Sequence, residues 1–393
     1  MSDLDYIFSP ACIRDGAKKV FEETKAGKTH FSYHPEKLPE TVDFVMETIN
    51  ENYPDLNIPF HSRWGHFRPG KTDRSRWLDE KIAQLDPLER ARVKWDLVIP
   101  SVLLDAGAGP GWKYYEKETS KEYSRSEGLG VASFHLFMSG ALSTDGRSLQ
   151  ATATGLKKVT PALIEKFFQV SAANPLVGVE GRTNLLRNLG SALENRTIFK
   201  DGRPGNLIDY LLLKHGKTIP ATALLRGVLD GLGPIWPGRE TLNGVNLGDA
   251  WRHSKYGLVA FHKLSQWMTY SLVEPLLEAG VTVTGIEGLT GLPEYRNGGL
   301  LLDLGVLSFK NKRDLEVAWG PESDLIIEWR ALTVFLLDVI GAEVQKRLGK
   351  TPQEFPLAKV LEGGTWWAGR KIAAKVRDGG APPLNIKSDG TVF

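Results

Sequence analysis

The chain has 393 residues, 41% of them hydrophobic and 24% charged, with a formal net charge of +2. That length suffices for a large core, and the near-balanced charge gives no global field to draw nucleic acid or an anionic membrane. One cysteine, Cys12, excludes an internal disulfide and a cysteine-only zinc site. The opening MSDLDYIFSP lacks the basic-then-apolar pattern of a signal peptide. No apolar run approaches the ~18 residues that span a bilayer. A cytoplasmic protein in a reducing compartment is expected.

Up to about residue 100 the chain reads as a less regular amino-terminal part. Helical period dominates afterwards. PALIEKFFQV (161–170) opens with proline after a threonine, a good helix start. GRTNLLRNLGSALE (181–194) puts Leu185, Leu186, Leu189 and Leu193 on one face. The same spacing continues through 205–214 and 220–232, with Gly and Pro punctuation between them. The stretch 249–279 carries Leu258, Phe261, Leu264, Trp267, Met268, Leu272 and Leu276, and 323–348 reads as a long amphipathic helix. Strand signals are few. VTVTGI (281–286) alternates, and RNGG (296–299) before LLLDLGVL marks a turn followed by an apolar strand or a buried helix start. The tail, PPLNIKSDGTVF, is too short for a domain. The expectation is a mainly α fold: one helical domain over 1–393 with a few short strands, its pocket within 101–393.

LLDAGAGPGW (103–112) has the outline of a nucleotide loop: an apolar strand, an acid, then glycines at alternate positions. A methyltransferase or dinucleotide fold also needs a helix after the loop and a second strand ending in an acid about 20 residues on. Here Gly111 leads into WKYYEKETSKEYSRSEG, aromatic and polar, and no strand–helix series follows. No cofactor is expected. Asp105, Trp112, Tyr114, Tyr115, Glu116, Arg125 and Glu127 crowd this region beside the apolar GLGVASFHLFMSGAL (128–142). Glycines let a backbone approach a ligand, aromatics stack on flat groups and carboxylates move protons. A buried turn with capping acids and a core tryptophan is the alternative.

FHSRWGHFRPGK (60–71) packs His61, Arg63, His66, Arg68 and Lys71 around Trp64 and Phe67. Such a stretch holds a phosphate or is a basic surface loop. Metal binding by its two histidines is disfavoured, because they are five apart with no acid between. GDAWRHS (248–254) and FHKLSQW (261–267) fall on one predicted helix, with His262, Lys263 and Gln266 within a turn. In LTGLPEYRNGGLLLDLGVL (289–307), Glu294 and Arg296 precede a double glycine and Asp303 interrupts an apolar run. Acids in such places are buried and paired, or catalytic. Glu328 and Arg330 lie within the long helix. Nucleophile elbows, Walker loops and paired-histidine metal motifs are absent, and no metal is expected.

DAGAGPGWKYYE, RSEGLGVASFHLFMSGALS, LTGLPEYRNGGLLLDLGVL and PLAKVLEGGTWWAGR with SDGTVF resemble the uracil catabolism protein four family of fungi and bacteria over nearly the whole chain. The resemblance implies a pyrimidine-degradation route through ribosylurea to urea. The order of motifs is also similar to that of queuosine salvage proteins, helical relatives of DNA glycosylases that hydrolyse the N-glycosidic bond of a nucleoside 5′-phosphate. Their Asp-Ala-x-Asn-Phe-x-Phe-Trp segment resembles Asp105 through Trp112. Their Tyr-Lys-x-x-Gln segment resembles His262, Lys263 and Gln266, their Asp-Tyr-Arg motif Glu294, Tyr295 and Arg296, and their Glu-x-Arg segment Glu328 and Arg330. Two departures stand out: Glu294 is one methylene longer than Asp, and glycine-rich sequence replaces the Asn-Phe-Phe stretch. They imply the same bond class with a different leaving group.

The chemistry implied is hydrolysis of ribosylurea, or its 5′-phosphate, to urea and ribose or ribose phosphate. Such a reaction passes through oxocarbenium character at the sugar, so it needs a carboxylate to stabilise that charge or activate water and a donor for the leaving nitrogen. Glu294 is assigned the first task. Asp105 is placed near the ribose hydroxyls or the leaving group, with Glu127 in reserve. Lys263, Arg296, Arg330, Glu328 and Arg68 are the expected binding residues, and Trp112 and Tyr295 would pack on the planar ureido group or sugar face. The expected partner is a small nucleoside-like molecule, with no nucleic acid or membrane, and a homodimer is left open. The alternatives are a non-catalytic partner of the pathway's ring-opening enzyme and an N-glycosidase for another modified nucleoside.

Overall fold

The computed structural model describes residues 2–109, 111–236 and 240–387. Pro110 of the glycine-rich loop and the SDGTVF tail (388–393) lie outside the described residues. The described chain is mainly helical, with short two-stranded ribbons. Among the described residues no helix is long and apolar enough to cross a membrane. The sequence reads as one domain, while the backbone packs as two compact units whose segments alternate along the chain. The described parts of the first unit are 2–61, 240–266 and 285–387, and those of the second are 62–236 and 267–284.

The first unit is built on helix Asp324–Leu348, which is buried nearly all round over its first half and ends at Gly349 with φ of 62°. A helix apolar on all faces belongs inside a core, and left-handed backbone at its end favours glycine. Helix Pro10–Lys25 packs along it, as does Tyr295–Asp303, which also packs on Trp366–Val376. A Cβ at Gly369 would lie 2.2 Å from the Arg296 carbonyl oxygen, so only glycine allows that close crossing. The apolar run after RNGG is therefore a buried helix, followed by strand Leu307–Phe309 pairing with Phe31–Tyr33.

The predicted helix over 249–279 is half right. Ala250–His253 and Gly257–Ala260 form an antiparallel hairpin, and the helix is Lys263–Glu278. The burial of Trp251, Arg252 and His253 runs in, out, in, as along a strand, with Ala250 buried before them. Gly257, at φ of 79°, closes the turn.

In the second unit Asp86 caps helix Pro87–Leu103, accepting from Leu88 and Glu89 N–H at 3.0 Å, with Pro87 in its first turn. The amino-terminal part is more regular than its sequence suggested: helices Pro10–Lys25, Leu38–Asn52 and Pro87–Leu103 all begin with proline in the first turn. Helix Arg125–Met138 packs against Pro87–Leu103 and the hairpin Lys113–Glu116/Lys121–Ser124. That hairpin was not anticipated. Helices Pro161–Phe167, Val179–Ala192, Leu207–His215 and Ala221–Leu232 fall where helical spacing put them. VTVTGI contains strand Thr282–Thr284, parallel to Thr218–Pro220.

Glu116 anchors this unit's hairpin. Its carboxylate accepts from Arg74 through both oxygens, from His135 Nε2 at 2.7 Å and from Thr119 Oγ1 at 2.6 Å. Burial works against the charge, but these donors outweigh it and hold the carboxyl down at about 2 against an ordinary 4.5. A carboxyl lowered by folding stabilises the fold above its unfolded value, and that contribution is lost as pH falls towards 2. Arg74→Met should cost about 3–5 kcal/mol at neutral pH, because it strands a buried charge. Urea titrations from pH 7 down to 3 should show the difference from wild type shrinking below about pH 4.5; a pH-independent difference would assign the loss to packing.

Candidate functional site

The first unit holds six of the expected residues: Lys263, Glu294, Tyr295, Arg296, Glu328 and Arg330. Glu294 is the N-cap of helix Tyr295–Asp303. Its Oε2 accepts from Arg296 N–H at 2.7 Å and its Oε1 from Asn297 N–H at 2.6 Å. Both oxygens are thus oriented by backbone at the positive end of a helix. The residue is half-buried, yet its carboxyl is enclosed by protein. That enclosure pushes its pKa above the ordinary value, against the opposing pull of the two amides, Lys263 and Arg296. Lys263, buried, opens helix Lys263–Glu278, so its charge acts on Glu294 from a rigid element.

Lys263 is placed by a residue that the sequence reading passed over. Asp249 accepts the Lys263 backbone N–H at 2.9 Å, Trp251 Nε1 at 2.7 Å, and Arg330 Nη1 and Nη2 at 2.8 and 2.7 Å. Its carbonyl takes the N–H groups of Phe261 and His262 at 2.9 and 3.1 Å. Burial alone would raise its carboxyl, but the Arg330 guanidinium and the other donors hold it far below the usual range. His262, just before the helix, has φ of 49°, left-handed backbone that a non-glycine residue adopts at a cost. The Asp249 carbonyl and His262 Nε2, 3.0 Å from the Ile7 carbonyl, hold it there.

Other expected binding groups in this unit are committed to the protein. Arg330 is bound in the fork of Asp249, over the Phe261 ring at 4.0 Å. Glu328 accepts from His30 N–H at 2.7 Å and is 2.8 Å from His30 Nδ1 and 3.2 Å from His253 Nε2. His253 Nδ1 accepts from the N–H groups of Lys255 and Tyr256, which leaves Nε2 as its donor to Glu328. Arg296 is buried, donates to the Gly380 carbonyl at 2.8 Å and lies over the Tyr295 ring at 4.8 Å. All three charged side chains are engaged by other groups of the protein.

Arg68, Asp105, Trp112 and Glu127 belong to the second unit. Trp112 is a core residue: 1% exposed, its indole N–H donates to the Phe168 carbonyl at 2.9 Å, and its ring fills the space over Gly128. That arrangement leaves no free face for a ureido group. Arg68 pairs with Glu274 at 3.1 Å and Asp73 at 3.5 Å. Glu127 is half-buried in the first turn of helix Arg125–Met138, whose first residue, Arg125, has left-handed backbone. Asp105 follows the end of helix Pro87–Leu103, half-buried, and pairs through Oδ1 with Arg63. The glycine-rich loop is organised by Arg182, whose guanidinium collects the carbonyls of Leu104, Ala106, Gly107 and Val177. Burial lowers that guanidinium to about 10.

The basic stretch 60–71 is not a surface loop. Arg63, Trp64, His66 and Phe67 are buried in a 3₁₀ helix, and His61 Nδ1 lies 2.7 Å from Glu362. Glu116, Glu118 and His135 bring potential metal-ligand atoms within 4.8 Å of one another. The four hydrogen bonds already on Glu116 fill its carboxylate, so the cluster is built as an ion-pair network.

The family model described as "Protein of unknown function (DUF1688)" matches residues 6–393. "Uracil catabolism protein 4" of Lachancea kluyveri is 40% identical to this chain over 99% of each protein. "Protein urg3" of Schizosaccharomyces pombe (strain 972 / ATCC 24843) is 41% identical over 97% of this chain and 96% of its own.

Asp249→Asn should be among the most damaging single changes in the first unit. It leaves the buried Arg330 charge without its carboxylate, a loss of about 3–5 kcal/mol. Chemical denaturation reads it directly; a loss under about 1 kcal/mol would mean that Arg330 finds another partner.

Proposed function

This chain belongs to the DUF1688 family, and on that premise we propose that it acts in uracil catabolism by hydrolysing the N-glycosidic bond of ribosylurea or its 5′-phosphate. The pathway follows the printed name of the Lachancea relative. The bond class follows the similarity of the Lys263, Glu294–Arg296 and Glu328–Arg330 motifs to those of queuosine salvage proteins. The observation that carries the reading is Glu294: an enclosed carboxylate, aimed by two backbone amides, with a pKa raised by burial and a buried lysine acting on it.

In the reaction the C1′–N bond breaks, and its electron pair leaves with the ureido nitrogen. Water adds to C1′, one of its protons passes to a base, and a proton reaches the leaving nitrogen. The products are urea and ribose, or ribose 5-phosphate. Glu294 suits the water side, because enclosure makes it a better base than an exposed carboxylate, and its charge faces the developing oxocarbenium ion. Lys263 opposes that rise and so favours the ionised form. Asp105 keeps the place that the resemblance gives it, near the ribose hydroxyls or the leaving group, with Glu127 in reserve. The small residues of 106–109 suit a compact, planar leaving group.

Purified protein incubated with ribosylurea and with its 5′-phosphate should release urea from at least one of them. Glu294→Gln keeps an oxygen for the helix cap but loses the base, so urea release should fall by about 10²–10⁴, with melting changed by only a few degrees. Tight binding without urea from wild type would move the protein to a carrier role. Wild-type turnover in Glu294→Gln would remove Glu294 from the mechanism.

A further inference from the structure

Asp105 stands in an unfavourable electrostatic place for a carboxylate. It follows the last turn of helix Pro87–Leu103, where the carbonyl ends of the helix are concentrated and negative charge is disfavoured. A protein that keeps an acid there must supply positive charge, and this one supplies it from inside its core. Arg63 is fully buried, and the single carboxylate on it among the described residues of its unit is Asp105.

The setting of Arg63 is specific. Its backbone N–H donates to Ser271 Oγ at 2.8 Å, and its Nε donates to Ser101 Oγ at 2.7 Å. Ser101 Oγ is in turn 2.6 Å from Ser133 Oγ. The guanidinium lies 5.6 Å from the Trp267 ring and 5.9 Å from Phe67. Nη1 reaches Asp105, with the Ser126 carbonyl and His66 Nδ1 each at 3.5 Å. Nη2 is buried with no hydrogen-bond partner among the described residues. A guanidinium locked by serines and aromatics, with one nitrogen unsatisfied, costs stability.

Resting on the ribosylurea reading, we propose that Arg63 is the positioning residue for Asp105: it fixes the direction of the carboxylate and keeps it negative at the end of a helix. Charged and titratable groups near this pair in its unit include Arg182, which acts on Asp105 from helix Val179–Ala192, and His66, beside Arg63. Arg182 collects loop carbonyls while acting on Asp105, and Arg63 is in direct ion pair with it. Asp105 then serves the reaction as an anion, steadying positive charge at the sugar or accepting a ribose hydroxyl, and does not supply the proton for the leaving group.

The test uses Arg63→Met, which removes the charge, and Arg63→Lys, which keeps the charge and loses the fork. The carboxyl of Asp105 is followed by ¹³C NMR in aspartate-labelled protein, its signal identified by its loss in Asp105→Asn. Urea release is followed across pH in parallel. In Arg63→Met the Asp105 titration should move up by about one to three pH units, and the acid limb of the rate profile should move with it. In Arg63→Lys the titration should stay within about one unit of wild type, while kcat falls about tenfold from lost orientation. An unchanged Asp105 titration in Arg63→Met overturns the proposal. Should that variant fail to fold, wild-type kcat in Arg63→Lys overturns it. If wild-type protein releases no urea, the ribosylurea reading falls, and the titration, or Asp105 lying beyond one unit of wild type in Arg63→Lys, still decides between Arg63 as holder of the anion and Arg63 as packing alone.

Discussion

The carboxylate of Asp249 is the fixed point of the unit that carries Glu294 and Lys263. Four donors converge on it, two of them from one guanidinium on the central helix. The hairpin Ala250–His253/Gly257–Ala260, the long helix and the start of the lysine helix meet at this residue. Without it Arg330 would lose its paired carboxylate inside an apolar helix, and His262 would lose the carbonyl that holds its left-handed backbone. A buried ion pair of this kind is weak evidence for net stability, since desolvation offsets much of the attraction. Its value lies in geometry: a bidentate pair fixes direction as well as distance. The first turn of the lysine helix inherits that precision.

Buried charge elsewhere follows the same economy. Glu328 and Arg330 sit two residues apart on a helix enclosed on all sides, so each must find its own partner. Glu328 finds two histidines and Arg330 finds Asp249. The helix motif that resembles a ligand-binding segment is satisfied from within the protein.

The long helix 323–348 and the helices between 161 and 232 were legible because their apolar spacing runs without competition. The stretch 249–279 misled because Trp251, His253, Leu258 and Phe261 fit helical and alternating patterns alike, and the turn at Gly257 is the discriminating signal. Prolines 10 and 87, each behind a capping side chain, marked helix starts in the part that reads as irregular. For the site, Glu294 was readable as an acid just before an apolar periodic run, the signature of a cap. Asp249 and Arg63 were not, because their partners lie 81 and 42 residues away in sequence and only folding brings them together. Trp112 shows the converse error: an aromatic beside glycines suggests a stacking wall, yet its indole N–H already had a carbonyl to meet.

The two acids given reaction roles stand at opposite poles of their helices, and this sets their chemistry apart. Glu294 caps an amino terminus, where amide dipoles already favour an anion, and is enclosed enough for burial to prevail over them. Asp105 lies beyond a carboxyl terminus, where the dipole opposes it, and is held by a full positive charge instead. A full charge attracts a carboxylate more strongly in a low-dielectric setting than in water. Placing two carboxyl groups in different environments is the usual route to separate acid–base roles in one fold. Here the separation is written in which helix end each acid occupies, and in whether amides or a guanidinium hold it.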